Sequence, residues 1–197
     1  NIFDQFKKFK FNNFLISMRS EDKILINYLS QFDTKFKLNY VKEKKPLGSG
    51  GCLKLLKKQN EPFFMINCDS LIKLNPIKLL NFHNEKKSIL TIVVCLKSHM
   101  IPYGQCEIKK DGFLKSIIEK PNTKILANVG MYVIDPKIRN FLPKSNFFDM
   151  DTLIKRLQPL NNKTMTLEDL LNPDLTVNYL LDRNKKYWND LAQDETD

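Results

Sequence analysis

Asn67, Cys68, Asp69 and Ser70 follow directly on the apolar run Phe63, Phe64, Met65 and Ile66, within the stretch Pro62 to Leu71. At that junction residue type and spacing best suit chemistry. Four apolar residues without polar alternation predict a strand buried on both faces, central in a sheet, as parallel strands under helices are. Ligands of open α/β sheets sit outside the carboxyl ends of the strands, so an aspartate there is placed for a metal ion or a phosphate-bearing substrate. Asp69 is the leading candidate. Asp and Ser also cap helices and make turns, so that structural reading stands beside the chemical one.

Two further stretches invite a ligand. Between Glu43 and Lys58, Pro46 and the glycines 48, 50 and 51 interrupt the chain directly before a helix marked by Leu53, Leu55 and Leu56. Glycine lets backbone approach a ligand, and free amides at a helix start suit a phosphate or the acceptors of a nucleobase. The pattern is neither the Walker nor the dinucleotide fingerprint, and a plain helix entry is the competing reading. Gly130 lies inside the strand pattern of residues 128–134, where glycine weakens pairing unless a ligand or another backbone comes close, so it suggests a pocket.

The elements that must position these residues form an α/β pattern. Of 197 residues, 42% are hydrophobic and 27% charged, enough for one domain with a proper core. Ile2, Phe3 and Phe6 predict an amphipathic helix already under way. Residue 1 is asparagine, which reads as a chain processed or captured incomplete. Strands are expected over 13–18 and 36–41, with a helix over 21–29 facing Ile24, Leu25, Tyr28 and Leu29 inward. A helix around 77–83 and an apolar strand over 89–96 extend a Rossmann-like, mainly parallel sheet flanked by helices. Residues 103–108 and 112–119 predict a hairpin around Lys110, Asp111 and Gly112. A helix over 147–157 should be capped by Asp149 or Asp151. Residues 158–186 are polar, and no element is assigned to them.

Composition narrows the function classes. No apolar run approaches the roughly 20 residues of a membrane span, and the first residues lack a signal-peptide pattern, so a soluble, cytoplasmic protein without a membrane partner is expected. The four cysteines, Cys52, Cys68, Cys95 and Cys106, show no CxxC pairing, and three of them sit in or beside apolar runs where small buried thiols are common. A reducing compartment without a zinc site follows. The formal charge of +10 comes mostly from lysine, with arginine only at 19, 139, 156 and 183. Scattered arginine disfavours nucleic-acid reading, and a solvated lysine surface is the better default.

Glu43 with Pro46, Leu47 and Gly48, then Asn67 and Asp69, Tyr103 and Gly104, Glu119-Lys120-Pro121, the NVGMYV segment holding Asn128 and Gly130, FDM before a helix, and Tyr187-Trp188-Asn189-Asp190 occur in one order. In that order and spacing the chain resembles the sugar-1-phosphate nucleotidyltransferases, particularly those similar to mannose-1-phosphate guanylyltransferases. The resemblance covers residues 1–157 and resumes at 187–191. It implies a nucleotide-diphospho-sugar transferase fold, with residues 1–157 as a nucleotidyltransferase domain whose amino-terminal part is missing. Residues 158–197 would be a carboxyl-terminal extension packing on the same domain.

The resemblance also implies a reaction: a nucleoside triphosphate and a sugar-1-phosphate give a nucleotide-sugar and pyrophosphate. Asp69 and Asp190 would share Mg²⁺, and Lys120 would meet the sugar phosphate. Glu119 and Asn128 would bind sugar hydroxyls, and the backbone at Tyr103, Gly104 and Gly130 would line the pocket, with Glu43, Pro46, Leu47 and Gly48 on the nucleotide. Taken singly, Glu119-Lys120 reads equally as a surface pair, Asn128 as a turn residue and Asp190 as one tail acid among several. A homo-oligomer is compatible with the family. The chain departs from the pattern at Ser49 and Gly50 of PLGSGG, at Cys68 where glycine is usual, and at Leu191 and Ala192. The family's arginine-bearing glycine loop and PKP segment do not precede Asn1. Their absence implies turnover at least about a thousandfold below that of a chain carrying them. The alternative is a noncatalytic relative serving as a ligand-sensing or assembly module.

Overall fold

The longest strand, β7 (Asn122–Ile134), organises the core. The computed structural model describes residues 2–19, 22–31, 36–70 and 74–158. One side of β7 pairs antiparallel with β4 (Leu90–Met100), from Leu90↔Ile134 to Met100↔Asn122. Its other side pairs antiparallel with β3 (Phe63–Ile66), from Phe63↔Ile134 to Ile66↔Met131. Strands β3 and β4 therefore run the same way on either side of β7. Parallel pairing joins β1 (Asn13–Arg19) to β2 (Lys37–Glu43), in register from Asn13↔Lys37 to Arg19↔Glu43. The α/β class holds, with mixed rather than mainly parallel pairing among the described strands.

Side-chain alternation divides the sheet into two covered faces. Leu90, Ile92, Tyr132 and Ile134 point into a cluster with Leu53, Ile138, Phe148, Leu153 and Leu157, from the loop side and from α5 (Met150–Leu157). Val93 and Met131 point the other way, onto Phe6 of α1 (Ile2–Lys7), Phe64 and Leu79. Each fully buried Leu, Ile or Val contributes about 1.5–3 kcal/mol, so these few residues set the stability of the sheet. Leu79 and the buried His83 belong to α4 (Pro76–Glu85), where Pro76 opens the helix and the Asn75 side chain accepts from the amides of Ile77 and Lys78.

Several expectations are corrected. Strand β3 is neither parallel to its neighbour nor central: among the described residues it lies at the sheet edge, half-buried. An unbroken apolar run carries no information on pairing direction. Phe64 is covered by rings, meeting Phe6 at 5.2 Å and Phe11 at 5.5 Å between centroids, while Phe63 and Met65 pack against the opposite cluster. Helix α2 (Lys23–Ser30) presents Leu25, Ile26 and Leu29 inward, while Ile24 is 84% and Tyr28 57% exposed. Asp22 fixes that phase by accepting from the Leu25 amide. Of the cysteines, only Cys95 is buried; Cys52 is half-buried, and Cys68 and Cys106 are exposed, all four free.

The predicted hairpin forms β5 (Gln105–Ile108) and β6 (Leu114–Ile118), turning at Gly112 with φ +86°. No helix among the described residues is long and apolar enough to cross a membrane. The tail expectations, including Asp190 and the packing of residues 159–197, lie outside the described residues.

Candidate active site

The sequence brings Asp69 to its place through a defect in β7. The β4–β7 ladder runs Val93↔Met131 and then Val94↔Asn128, so Val129 and Gly130 bulge out without partners. Gly130 takes φ +70°, the left-handed region. A Cβ there would lie 2.3 Å from Asn67 Nδ2, so the position admits glycine alone without rearrangement. What approaches Gly130 is thus the turn after β3. The Asn67 amide donates to the Gly130 carbonyl at 2.8 Å, Ser70 Oγ donates to the Val129 carbonyl at 2.5 Å, and the Ser70 amide closes the turn onto the Asn67 carbonyl at 3.1 Å. Cys68 and Asp69, at the crown of this turn, face solvent.

Asn128 holds the other side of the bulge. Its Oδ1 accepts from the Gly130 amide at 3.0 Å, and its Nδ2 donates to the Tyr132 hydroxyl at 2.8 Å. Burial pushes the Tyr132 phenol above its ordinary pKa, opposed by that bond from Asn128. Asn128 therefore has an internal role besides any contact with a ligand.

A second group surrounds the glycine turn. The predicted helix after the glycines is instead made by them: α3 (Gly48–Gly51) runs into a 3-10 turn, Cys52–Lys54. Gly48 has φ +78°, and a Cβ on it would fall 2.6 Å from the Phe148 carbonyl oxygen. Glu43, at the end of β2, accepts from Ser17 Oγ at 2.6 Å and from the Leu47 amide at 3.2 Å. Burial pushes the nearby Cys52 thiol up, and the Glu43 charge adds to the effect.

Against the other side of the turn lies the entry to α5. Asp149 Oδ1 accepts from the Ser49 amide at 2.8 Å and from Ser49 Oγ at 3.0 Å. The Met150 amide donates to Ser49 Oγ at 3.0 Å, the Gly50 amide to the Phe148 carbonyl at 3.0 Å, and the Phe148 amide to the Leu47 carbonyl at 2.9 Å. Asp149 is the N-cap residue by position, but its side chain bonds no amide of its own helix. Two carboxylates thus hold two of the turn's amides, which makes it a poor cradle for phosphate.

The third group is at the base of the hairpin. A Cβ on Gly104 would lie 3.1 Å from Glu119 Oε2, so Gly104 and Glu119 are neighbours. Tyr103 is 73% exposed, and Lys120, also exposed, takes φ +47°. Since residues 122–128 stay paired with 94–100, this group stands roughly 20 Å along β7 from the bulge. Pro46 and Leu47 sit with the glycine turn. Ser17, Ser49, Ser70 and Asp149 were missed as site residues, because their partners lie far away in the sequence.

Among the described residues no three acidic, histidine or cysteine side chains gather as a metal cage. Asp69 nevertheless fits Mg²⁺ by donor type: its carboxylate is a hard oxygen donor and solvent-facing, and Mg²⁺ takes one or two carboxylates with the rest from phosphate and water.

A family model described as nucleotidyl transferase matches residues 3–194. Mannose-1-phosphate guanylyltransferase 1 of Arabidopsis thaliana is 27% identical over 134 residues, spanning 63% of this chain and 37% of that protein. The mannose-1-phosphate guanylyltransferase catalytic subunit beta of Dictyostelium discoideum is 26% identical over 192 residues, 92% of this chain and 48% of that one. The chain thus spans about half or less of the curated relatives it matches. HddC from Yersinia pseudotuberculosis superposes with a TM-score of 0.54 at 23% identity, over 75% of this chain and 66% of that one. Its complex with GMP-PN gives 0.55 at 22%, with the same coverage. At that identity the likeness establishes the fold.

Proposed function

We propose, from the premise that this chain belongs to the nucleotidyl transferase family, that it carries the site of a sugar-1-phosphate nucleotidyltransferase. The reaction joins a nucleoside triphosphate to a sugar-1-phosphate and releases pyrophosphate. The observation that carries this reading is the Asp69 turn, pinned by Asn67 and Ser70 to the bulged Val129-Gly130 backbone at the carboxyl end of β3. A rigid support under an exposed carboxylate is what a phosphate-transfer site requires.

The attacking oxygen of a sugar phosphate is already anionic at neutral pH, so no general base is needed, and positioning with charge neutralisation carries the catalysis. Asp69, with Asp190, would hold Mg²⁺. Bound there, the ion would supply neutralisation of phosphate charge. Lys120 would meet the sugar phosphate, and Glu119 and Asn128 the sugar hydroxyls, beside the backbones of Tyr103, Gly104 and Gly130. The hairpin group must close toward the bulge to do so. Glu43, Pro46, Leu47 and Gly48 would frame the nucleobase: with Glu43 and Asp149 holding its amides, the glycine turn suits a neutral base edge better than a phosphate. Four free cysteines suit a reducing, cytoplasmic setting.

The first pair to assay is GTP with mannose-1-phosphate, the substrates that the relatives' names indicate. Other nucleoside triphosphates and hexose-1-phosphates complete the panel. Pyrophosphate release that falls at least a hundredfold in Asp69→Ala supports the reading. Nucleotide or sugar-phosphate binding without turnover on the whole panel would select the noncatalytic module instead. That alternative draws on Cys68, whose side chain stands beside Asp69 where the family has glycine.

A further inference from the structure

We propose that Asp149 is a positioning residue for nucleotide binding, which sets the Gly48–Gly51 turn through Ser49; the proposal rests on the nucleotidyltransferase reading above. Asp149 Oδ1 is the acceptor for both donors of Ser49, its amide at 2.8 Å and its hydroxyl at 3.0 Å. The same hydroxyl accepts from the amide of Met150, the first residue of α5, at 3.0 Å. Capping of α5 is therefore exchanged between two elements far apart in sequence: Ser49 serves the helix amide, and the helix's own N-cap residue serves Ser49.

Asp149 is exposed, so its contribution is not apolar burial. Phe148, beside it, is 3% exposed and packed in the core, which fixes the carboxylate's origin. Gly48, at φ +78°, lies so close that a Cβ there would come 3.0 Å from Asp149 Oδ1, so the turn is moulded onto this carboxylate. Without the carboxylate, the Ser49 amide and hydroxyl lose a shared charged acceptor. The turn keeps its backbone bonds to Phe148, the bond from the Met150 amide to Ser49 Oγ and, at Leu47, the bond to Glu43, but the Ser49 amide is left to be ordered when the nucleotide binds. Ordering on binding weakens affinity and leaves the chemical step alone.

The test compares Asp149→Ala with Asp149→Asn, which retains an acceptor oxygen, in the complete chain. Expected for Asp149→Ala is a roughly tenfold rise in the KM for GTP, about the least that losing two hydrogen bonds to a charged group implies. The kcat and the KM for mannose-1-phosphate stay within about twofold, and Asp149→Asn recovers most of the loss. Hydrogen exchange at the Ser49 and Gly50 amides accelerates in Asp149→Ala without any substrate present. Unchanged exchange overturns the clamp. Faster exchange with an unchanged KM for GTP overturns the link to the nucleotide. A rise in both KM values that Asp149→Asn fails to recover marks a merely structural role and also overturns it. If the wild type shows no turnover, the enzyme reading fails separately; the Kd for GTP by calorimetry then replaces KM, and no GTP binding by the wild type overturns the proposal.

Discussion

Replacing Gly130 by alanine probes the joint between the Asp69 turn and β7. Two terms oppose the new methyl group. Holding a non-glycine residue at φ +70° costs about 1–2 kcal/mol. The Cβ would also sit 2.3 Å from Asn67 Nδ2 and 2.7 Å from Asn67 Cγ. Rotating that side chain away leaves Asn67 Cβ at 3.1 Å, so the backbone must also yield, an overpacking cost of about 1–3 kcal/mol. Together the loss is about 3 kcal/mol, a large share of the 5–15 kcal/mol typical of a domain. Urea unfolding of the wild type and Gly130→Ala measures it as a lower midpoint at constant slope. Asn67→Gly separates the terms: in that background only the dihedral cost remains, so the double-mutant cycle should show about 1–2 kcal/mol of relief. A loss below about 0.5 kcal/mol, or an equal loss in both backgrounds, would refute the reasoning.

Burial holds the His83 imidazole below its ordinary pKa, opposed by the Asp135 charge, so between the unfolded value near 6.5 and the lower folded one the unfolded chain binds more protons. Stability should fall as pH drops through that window, and His83→Leu should flatten the slope of urea midpoint against pH between 7 and 5; an unaltered slope contradicts this. Iodoacetamide at pH 8 should label the exposed Cys68 and Cys106 well before Cys52, whose thiol is pushed up by burial and by Glu43, and before the buried Cys95. Equal labelling of Cys52 and Cys68 by mass spectrometry would count against a protected, raised Cys52 thiol.

What the sequence made legible was local. Strands β1, β2 and β4, helix α4 and the hairpin fall within a few residues of their expected bounds, since period and turn residues report on the nearest neighbours. Pairing direction was not legible, because Phe63–Ile66 would read the same beside a parallel or an antiparallel partner. The inward face of α2 went wrong by one position, since Asp22 rather than the apolar count set its phase. At Gly130, read as a sign of a pocket, what comes close is Asn67, whose side chain occupies the space. Asp149 was read as a cap for its own helix. Its bond to Ser49 spans a hundred positions, a separation that no local pattern encodes.

The bulge has a consequence for how this strand tolerates length change in evolution. Val129 and Gly130 are an even insertion, so Asn128 keeps the same face of β7 as Tyr132 and Ile134. Loss of both residues would keep every remaining side chain on its side of the sheet and delete the seat for Asn67 and Ser70. Loss of one would turn residues 122–128 inside out relative to β4. Lineages that shed this seat should therefore do so in steps of two.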